Sequence, residues 1–494
     1  MAYYMGIDLG TTGLKALIVD VNGKISGSGY REYPLNVPQA GYAEQNPEDW
    51  YRAMCLAIGD ALASSKIPPR EIRCLGFSGQ MHGLVALDAQ KHILCPAIIH
   101  CDGRASREKR EILERVGIPR LGEWVQNQVH SGFQALSLLW LRHNRPEIYG
   151  RIRHALLPKD YLRFTLTGEI GAEPTDASGT LMYDCKNRRW SEELIRALEI
   201  DPAILPDCNH LPHQIAGRLT REAAEATGLS EGMPVAYGGG DQPMQAVGNG
   251  LLFPGSASVT LGTSGQVFVP SSEPVYDPLL RTHTFCHAPE KTWYVMGAVL
   301  NACLAFNWFL ENVLRDRDFA AIDQEAQTVS PGSEGLLFLP YLTGERTPHM
   351  NEHARAAFIG LSLAHDRKHM ARAVMEGVAL CLKDALEVVR ELHLPIDRMV
   401  VSGGGAKSRV WRQILSDVFE MPLYISRMKE QAGLGAAITA QVAAGEYSSL
   451  EEACRAIVRY EPEPVEPNPG NFSAYRSCFD RFRLAYRQNL PLFG

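Results

Sequence analysis

The chain has 494 residues, of which 45% are hydrophobic and 21% are charged, and its formal net charge is −7 at pH 7. This composition is typical of a globular protein of two to four domains and excludes a disordered or fibrous chain. Mild acidity with mixed charges disfavours nucleic acid and anionic membranes as partners.

Strands and a capped helix are predicted in the first 90 residues. Asn46 is a suitable N-cap for a helix that begins at Pro47 and reaches about Ala63. Gly10-Thr11-Thr12-Gly13 and Asn22-Gly23 are turn signals. Strands are expected at 3–8, 14–19, 24–33, 72–77 and 84–88. Three antiparallel strands followed by alternating helix and strand indicate a mixed α/β layer fold.

The first turn recurs about halfway along the chain. Leu9-Gly10-Thr11-Thr12-Gly13 reappears as Leu261-Gly262-Thr263-Ser264-Gly265, between expected strands at 256–261 and 266–270. The shared context predicts two related domains, 1–247 and 248–494. In the second, apolar residues at three- and four-residue steps over 370–389 predict a long core helix, which ends before Pro395.

Membrane and secretory features are absent from the sequence pattern. Polar residues interrupt the longest apolar stretch, 297–314, so no run reaches the ~18 residues of a spanning helix. The 11 cysteines include no Cys-x-x-Cys pair, and the N-terminus resembles no signal peptide. We therefore expect a cytoplasmic protein with reduced thiols and no membrane partner.

Two loops have the chemistry of phosphate binding. Asp8 precedes the first turn, whose small residues let backbone N–H groups approach phosphate oxygens. Asp8 is suited to hold magnesium through water, and Lys15 to reach a phosphate. The alternative is a tight hairpin in which Asp8 caps the turn. The recurrence at 262 favours two such loops facing each other across a cleft.

Two triple glycines each follow an apolar run and precede a helical pattern. Such glycines let a ligand lie against the backbone at a helix N-terminus, although they also serve as flexible turns. The second, Gly403-Gly404-Gly405, is not a P-loop because Ala406 precedes Lys407. The first, 238–240, leads into Asp241.

Asp241 is the candidate general base. At a helix start the dipole is expected to favour its ionised form, and the alternative role is a simple N-cap. The loop Ser78-Gly79-Gln80-Met81-His82-Gly83 follows another strand. His82 is suited to a structural role or to binding a hydroxylated ligand. No spacing of His, Cys and acidic residues indicates a metal cage.

Together these motifs resemble the FGGY carbohydrate kinases, over nearly the whole chain and in order. The resemblance is to the xylulokinase-like branch. It is carried by Asp8-Leu-Gly-Thr-Thr, Ser78-Gly-Gln-Met-His-Gly, Lys159-Asp-Tyr-Leu, Thr175-Asp-Ala-Ser-Gly-Thr, Gly238-Gly-Gly-Asp, Leu261-Gly-Thr-Ser-Gly, Leu339-Pro-Tyr-Leu-Thr-Gly-Glu-Arg-Thr-Pro-His and Ser402-Gly-Gly-Gly.

The resemblance implies two actin-like (RNase H-like) domains around a central cleft. It implies ATP and Mg²⁺ as cofactors and a ketose as acceptor. The first candidate acceptor is D-xylulose, which would give D-xylulose 5-phosphate. A homodimer is a possible assembly. Asp241 falls on the catalytic base and Asp8 on the metal site. The nucleotide residues implied are Thr11, Thr12, Lys15, Gly262, Thr263, Gly404, Gly405 and Ser408. The sugar residues implied are Gln80, Met81, His82, Asp102 and Gln242.

Departures from the family pattern leave the sugar open. His100-Cys101 replaces a usual Trp-Asn, and Gln242 replaces an Asn after the base. Because these changes lie near the expected sugar pocket, two alternatives stay open: D-xylulose itself, and another ketopentose or a polyol. Two rival functions are an actin-like ATPase, which would not need Asp241, and a sugar sensor without catalysis, against which the intact Asp8 and Asp241 argue.

Overall fold

Two open sheets of shared topology organise the chain in the computed structural model, which describes residues 2–493. In the first half the strand order is Ile215–Arg218, Pro234–Ala236, Ile72–Gly79, Tyr3–Leu9, Gly13–Asp20 and Ile25–Glu32, with Gly239–Gly240 pairing beside Ile72–Gly79. In the second half it is His283–Cys286, Trp293–Val299, Gly265–Ser271, Gly255–Leu261, Ile396–Ser402 and Leu423–Ile425.

The two sheets repeat the same pairing pattern. Each begins with an antiparallel hairpin, Tyr3–Leu9 with Gly13–Asp20 and Gly255–Leu261 with Gly265–Ser271. The first strand of each hairpin then pairs in parallel with a later strand, which is Ile72–Gly79 in one half and Ile396–Ser402 in the other. The expected α/β fold of two sheet-containing domains is confirmed.

Shorter strands and the helices surround these sheets. Two-stranded sheets pair Glu44–Gln45 with Ala97–Ile98, Val85–Leu87 with His154–Leu156, Tyr183–Asp184 with Arg189–Trp190, and Leu337–Leu339 with Ala357–Ile359. The α-helices of the first half are Pro47–Ser65, Ser106–Arg115, Ile118–Val125, Gln134–Asn144, Pro146–Tyr149, Pro158–Thr167, Pro174–Ala177, Glu192–Ala197, Arg221–Thr227 and Asp241–Gly248. Those of the second are Cys303–Trp308, Phe319–Gln327, Arg367–Arg390, Arg409–Phe419, Gln431–Ala443, Leu450–Ile457 and Phe472–Asn489, and a π-helix spans Phe309–Leu314.

The predicted helix signals are confirmed. The Asn46 side chain accepts a hydrogen bond from the Glu48 N–H at 3.1 Å, and Pro47 is the first residue of the helix. The long helix of the second half runs Arg367–Arg390, with Asp366 as its capping residue, and ends before Pro395. Its buried apolar side chains belong to the core, as their spacing predicts.

A helix from the second half packs on the sheet of the first. Gln431–Ala443 crosses the strands Tyr3–Leu9 and Ile72–Gly79. A Cβ at Gly6 would overlap the carbonyl oxygen of Gly433, so only glycine lets the helix approach this closely. The division at 247/248 stays a prediction, and this contact crosses it. Among residues 2–493, no helix is both long and apolar enough to cross a membrane.

One buried apolar cluster joins the two halves. It contains Leu84 and Phe133 from the first half together with Phe268, Phe285 and Tyr294 from the second. The cluster therefore packs side chains of the two halves against each other.

Candidate active site

A cavity of about 210 Å³ lies between the two halves. Its volume is that of about seven molecules of liquid water, which suits a small ligand and is too small for a nucleotide. Both halves contribute to its wall. The lining residues are Thr11, Met81, His82, His100, His130, Phe133, Asp241, Gln242, Ser264, Gln266, Met296, Ala298, Val299, Leu300 and Arg346.

Asp241 lies in the cavity wall as the first residue of the helix Asp241–Gly248. Gly240 is the N-cap of that helix, so the Asp241 carboxyl is not used as a cap. Burial raises the pKa of Asp241 to about 7, and the nearby Asp8 charge adds to the rise. The position at the helix terminus predicts a lowered pKa that favours the ionised form, but the pKa is raised, so that expectation is wrong. Desolvation outweighs the dipole.

The turn before Asp241 requires glycine. Gly238 has φ +69, and a Cβ there would overlap the carbonyl oxygen of Phe77 in the neighbouring strand. Thr175 Oγ1 accepts a hydrogen bond from the Gly240 N–H at 3.1 Å. These contacts fix the backbone that presents Asp241 to the cavity.

A buried cluster of charges stands behind this turn. Lys159 Nζ lies 2.7 Å from Asp160 Oδ1, 3.6 Å from Glu173 Oε1 and 3.8 Å from Asp176 Oδ2, and all these side chains are inaccessible to solvent. Glu173 also accepts a hydrogen bond of 2.8 Å from Thr175 Oγ1. The cluster thus supports the threonine that holds Gly240.

The first turn loop adjoins the cavity. Thr11 lines it, and Thr12 is exposed beside it. Asp8 Oδ1 accepts a hydrogen bond of 2.8 Å from Ser78 Oγ, and burial raises the Asp8 pKa above its ordinary value. Lys15 lies across the hairpin from Asp8, where its Nζ is 2.6 Å from Glu430 Oε2. Reaching a phosphate would require Lys15 to leave this exposed pair.

The second turn loop approaches the cavity from the other half. Gly262 N–H donates to the Ser264 carbonyl at 3.0 Å, Thr263 is exposed, and Ser264 lines the cavity. Thr260 stands where the first hairpin has Asp8, and its Oγ1 lies 3.0 Å from Ser402 Oγ. The two halves therefore share the turn loop, but only the first hairpin has a carboxylate, Asp8, at this position.

The second triple glycine follows the strand Ile396–Ser402. Gly404 has open space around it, which leaves its backbone accessible to a ligand. Gly405 is buried against Cys303 and Leu261. Ser408 Oγ accepts a hydrogen bond of 2.9 Å from the Trp411 N–H as the cap of the next helix, and it also contacts Asp323. The structure thus shows a capping role for Ser408.

The predicted sugar residues occupy different places. Met81, His82 and Gln242 line the cavity. His82 Nδ1 lies 2.7 Å from the Gly179 carbonyl, and its ring stacks on Phe133 with centroids 4.5 Å apart. Gln80 is buried and does not line the cavity. Its Nε2 donates a hydrogen bond of 3.0 Å to Gln45 Oε1.

Asp102 is not among the cavity-lining residues. Its Oδ2 accepts a hydrogen bond of 2.6 Å from the Ala43 N–H, and Arg104 Nη2 lies 2.8 Å from the same atom. Of the two residues that depart from the family pattern before it, His100 lines the cavity, whereas Cys101 is exposed and does not.

Arg346, His130 and Gln266 line the cavity without having been assigned a role from the sequence. Arg346 lies inside a motif that carries the family resemblance, but the motif alone does not show where its side chain points. His130 and Gln266 belong to no motif singled out above, so no local signal indicates them.

Asp8 and Asp241 are the residues best suited to a magnesium site. Mg²⁺ is held in kinases by one or two carboxylates together with phosphates and water. The Asp8 charge raises the pKa of Asp241, and a divalent cation would relieve that repulsion. Within residues 2–493 no group of three or more His, Cys, Asp or Glu is placed to hold a metal ion.

Comparison with known proteins agrees with this arrangement. Residues 3–248 match the N-terminal domain, and residues 257–444 the C-terminal domain, of the FGGY family of carbohydrate kinases. A xylulose kinase of Bacillus subtilis is 35% identical over 100% of this chain and 98% of its own. A solved xylulose kinase of Brucella ovis has TM-score 0.92 and 34% identity, covering 99% of this chain and 100% of that one. A gluconate kinase of Lactobacillus acidophilus has TM-score 0.94 and 27% identity, covering 100% and 99%. This chain belongs to the FGGY family of carbohydrate kinases.

Proposed function

We propose that the chain transfers the γ-phosphoryl group of ATP to the 5-hydroxyl of D-xylulose. Full-length relatives that are themselves named xylulose kinase support this substrate. The single observation that carries the proposal is the position of Asp241, whose carboxyl faces a small polar cavity between two turn loops. A cavity of this size suits a five-carbon sugar.

The chemistry needs a base and an aligned phosphate. The Asp241 carboxylate takes the proton of the 5-hydroxyl, the hydroxyl oxygen forms a bond to the γ-phosphorus, and the bond between that phosphorus and its bridging oxygen breaks. The electron pair of the broken bond leaves with ADP. A pKa near 7 suits this role because the carboxyl can both hold and release a proton near neutral pH.

The two turn loops are the proposed phosphate sites. Thr11 and Ser264 lie in the same cavity wall, one from each loop, so a phosphate between the loops would reach the sugar. Magnesium supplies charge neutralisation to the phosphates when bound, and Asp8 would hold it through water. We assign the nucleotide beyond the second loop, near Gly404, where the backbone is open.

Closure around the cavity serves selectivity for sugar over water. Phosphoryl transfer is achieved mainly by positioning and electrostatic stabilisation, and water would otherwise attack ATP. The two loops already meet at one cavity wall, through Thr11 and Ser264. A cytoplasmic location and a homodimer remain predictions from the sequence.

The test is ATP consumption by the full-length enzyme with a panel of acceptors. The panel contains D-xylulose, D-ribulose, L-xylulose, L-ribulose and small polyols, together with a reaction without sugar. We expect ADP release to depend on sugar and D-xylulose to have the highest kcat/KM. ADP release that ignores sugar would instead support an ATPase, and none with any sugar would support a sensor.

Two positions bear on the choice of sugar. His100 and Gln242 line the cavity, whereas the exposed Cys101 does not. Changed groups in a pocket alter hydroxyl recognition, because a buried group left unpaired is costly. A preference for D-xylulose of less than about tenfold over another ketopentose or a polyol would favour the alternative substrate.

A further inference from the structure

Arg346 is held rigidly in the cavity wall by its neighbours in sequence. Its own N–H and the Leu300 N–H donate to Glu345 Oε1, at 2.7 and 2.8 Å. The Thr347 N–H donates to the Ala298 carbonyl at 3.0 Å. The loop is thus fixed to the end of the strand Trp293–Val299, and the Arg346 side chain starts from a defined point.

The Arg346 guanidinium lacks the partners that a buried cation needs. Its Nη2 lies 3.5 Å from His130 Nδ1, which is a weak contact, and its Nε is buried without a hydrogen-bond partner. In the described chain no carboxylate oxygen lies within 4.0 Å of its nitrogens. The Glu345 charge acts on Arg346 from beyond contact distance. Burying a cation without a paired, hydrogen-bonded partner is costly, so a ligand that accepts its hydrogen bonds is favoured.

The histidines around Arg346 are neutral, and the one carboxyl whose charge acts on it is that of Glu345, whose pKa burial raises to about 7. Burial lowers the pKa of His82 and His283 to about 3 and of His100 to about 4, and lowers that of His130 well below its ordinary value. The Arg346 charge lowers each of them further. At neutral pH this group of side chains carries one positive charge, which is that of Arg346.

Asp241 and Arg346 enter the cavity from different halves of the chain and bring groups of opposite chemistry. The charge that acts on Asp241 is that of Asp8, whereas the Arg346 charge acts on all four histidines. The first half supplies the Asp241 carboxyl that serves the reacting hydroxyl. The second half supplies a fixed guanidinium, which offers five N–H donors and no acceptor.

We propose that Arg346 binds the end of the substrate remote from the reacting hydroxyl, and that it favours there an oxygen that only accepts hydrogen bonds over a hydroxyl. The ketone of an open-chain ketose supplies such an oxygen, and so does the carboxylate of an aldonate. This inference rests on the proposed function, because it places the 5-hydroxyl at Asp241. A carboxylate fits the planar fork of a guanidinium with two parallel bonds.

The first test uses the unaltered enzyme. D-xylonate and xylitol are compared as competitive inhibitors against D-xylulose, since they differ at the remote end by a carboxylate against a hydroxymethyl group. We expect the inhibition constant of D-xylonate to be at least tenfold lower than that of xylitol. An equal or lower constant for xylitol would overturn the inference.

The second test uses variants of Arg346 with a matched control. Arg346→Gln removes the charge and the fork, and Arg346→Lys keeps the charge alone. Arg412→Gln is the control, because Arg412 also has a buried Nε without a partner and does not line the cavity. We expect Arg346→Gln to raise KM for D-xylulose and the D-xylonate constant by about 10- to 100-fold, with a smaller effect on kcat. Arg346→Lys should lie between, and the Arg412 variant should stay within twofold of the unaltered enzyme.

Direct binding separates this inference from the proposed function. D-xylonate binding is measured by calorimetry without turnover, with ADP binding as the check that each variant is folded. If D-xylulose is not phosphorylated but Arg346→Gln abolishes D-xylonate binding, the proposed function fails and the inference stands. If D-xylulose is the substrate and Arg346→Gln leaves both its KM and D-xylonate binding unchanged, the inference is wrong.

Discussion

Replacing Asp241 by asparagine should abolish activity and at the same time stabilise the protein above neutral pH. Asparagine has nearly the same shape, cannot accept the proton and carries no charge to bury. The pKa of Asp241 is about 7 in the folded protein against an ordinary 3.8. Between these values the folded state holds a proton that the unfolded chain has released. That contribution to stability is complete below pH 3.8 and is lost as pH rises through 7.

The magnitude follows from the size of the shift. About three pKa units correspond to about 4 kcal/mol of destabilisation at pH 8, which the Asp241→Asn variant escapes. With an unfolding entropy of about 2 cal/mol/K per residue, this is a rise in Tm of about 4 °C if the chain unfolds as one unit, and about 8 °C if each half unfolds alone. Turnover should fall by about 10²- to 10⁴-fold.

The assay is thermal unfolding at pH 8 and pH 5 beside kcat measurements. At pH 5 the gain in Tm should be less than half of that at pH 8. The destabilisation builds up between the unfolded pKa of 3.8 and the folded pKa of about 7, and pH 5 lies in the lower part of that interval. Asp480→Asn, on the exposed face of the last long helix, is the control and should change neither property. A Tm gain that is the same at both pH values, or near-normal turnover, would refute the reasoning.

Three further predictions follow from the same site. The kcat/KM for sugar should fall tenfold per pH unit below about pH 7, because only the ionised Asp241 accepts a proton; a profile from pH 5 to 9 that stays flat would contradict this. Gly238→Ala should cost several kcal/mol of stability and most activity, because its Cβ overlaps Phe77, whereas Gly168→Ala shares the positive φ without the overlap and should cost about 1 kcal/mol in a denaturant titration. Thr263→Val should raise KM for ATP several-fold while sugar binding, followed by calorimetry, is unchanged.

Local signals in the sequence were sufficient for the strands, the turns and the helix ends. Asn46 and Pro47 predict where the first long helix begins, and the structure begins it there. The repeated turn predicts two related halves, and both sheets have the same pairing around it. These features depend on residues close together in the chain, so the sequence pattern shows them directly.

Features that depend on distant residues could not be predicted in the same way. The pKa of Asp241 is decided by burial and by Asp8, so its helix position alone indicated the wrong direction. Arg346 and His130 come together from separate halves of the chain. Asp102 is two residues from the cavity-lining His100, yet its carboxylate is paired with Arg104.

The helix Gln431–Ala443 also has a consequence for how the chain is made. It covers the sheet formed by the first strands of the protein, with Gly433 against Gly6. During translation the amino-terminal sheet therefore leaves the ribosome long before its covering helix is synthesised. The apolar face of this sheet stays uncovered until almost the whole remaining chain has been synthesised, and during that time it can contact other nascent chains. The part of the fold that is synthesised first is therefore completed by a helix from the last hundred residues.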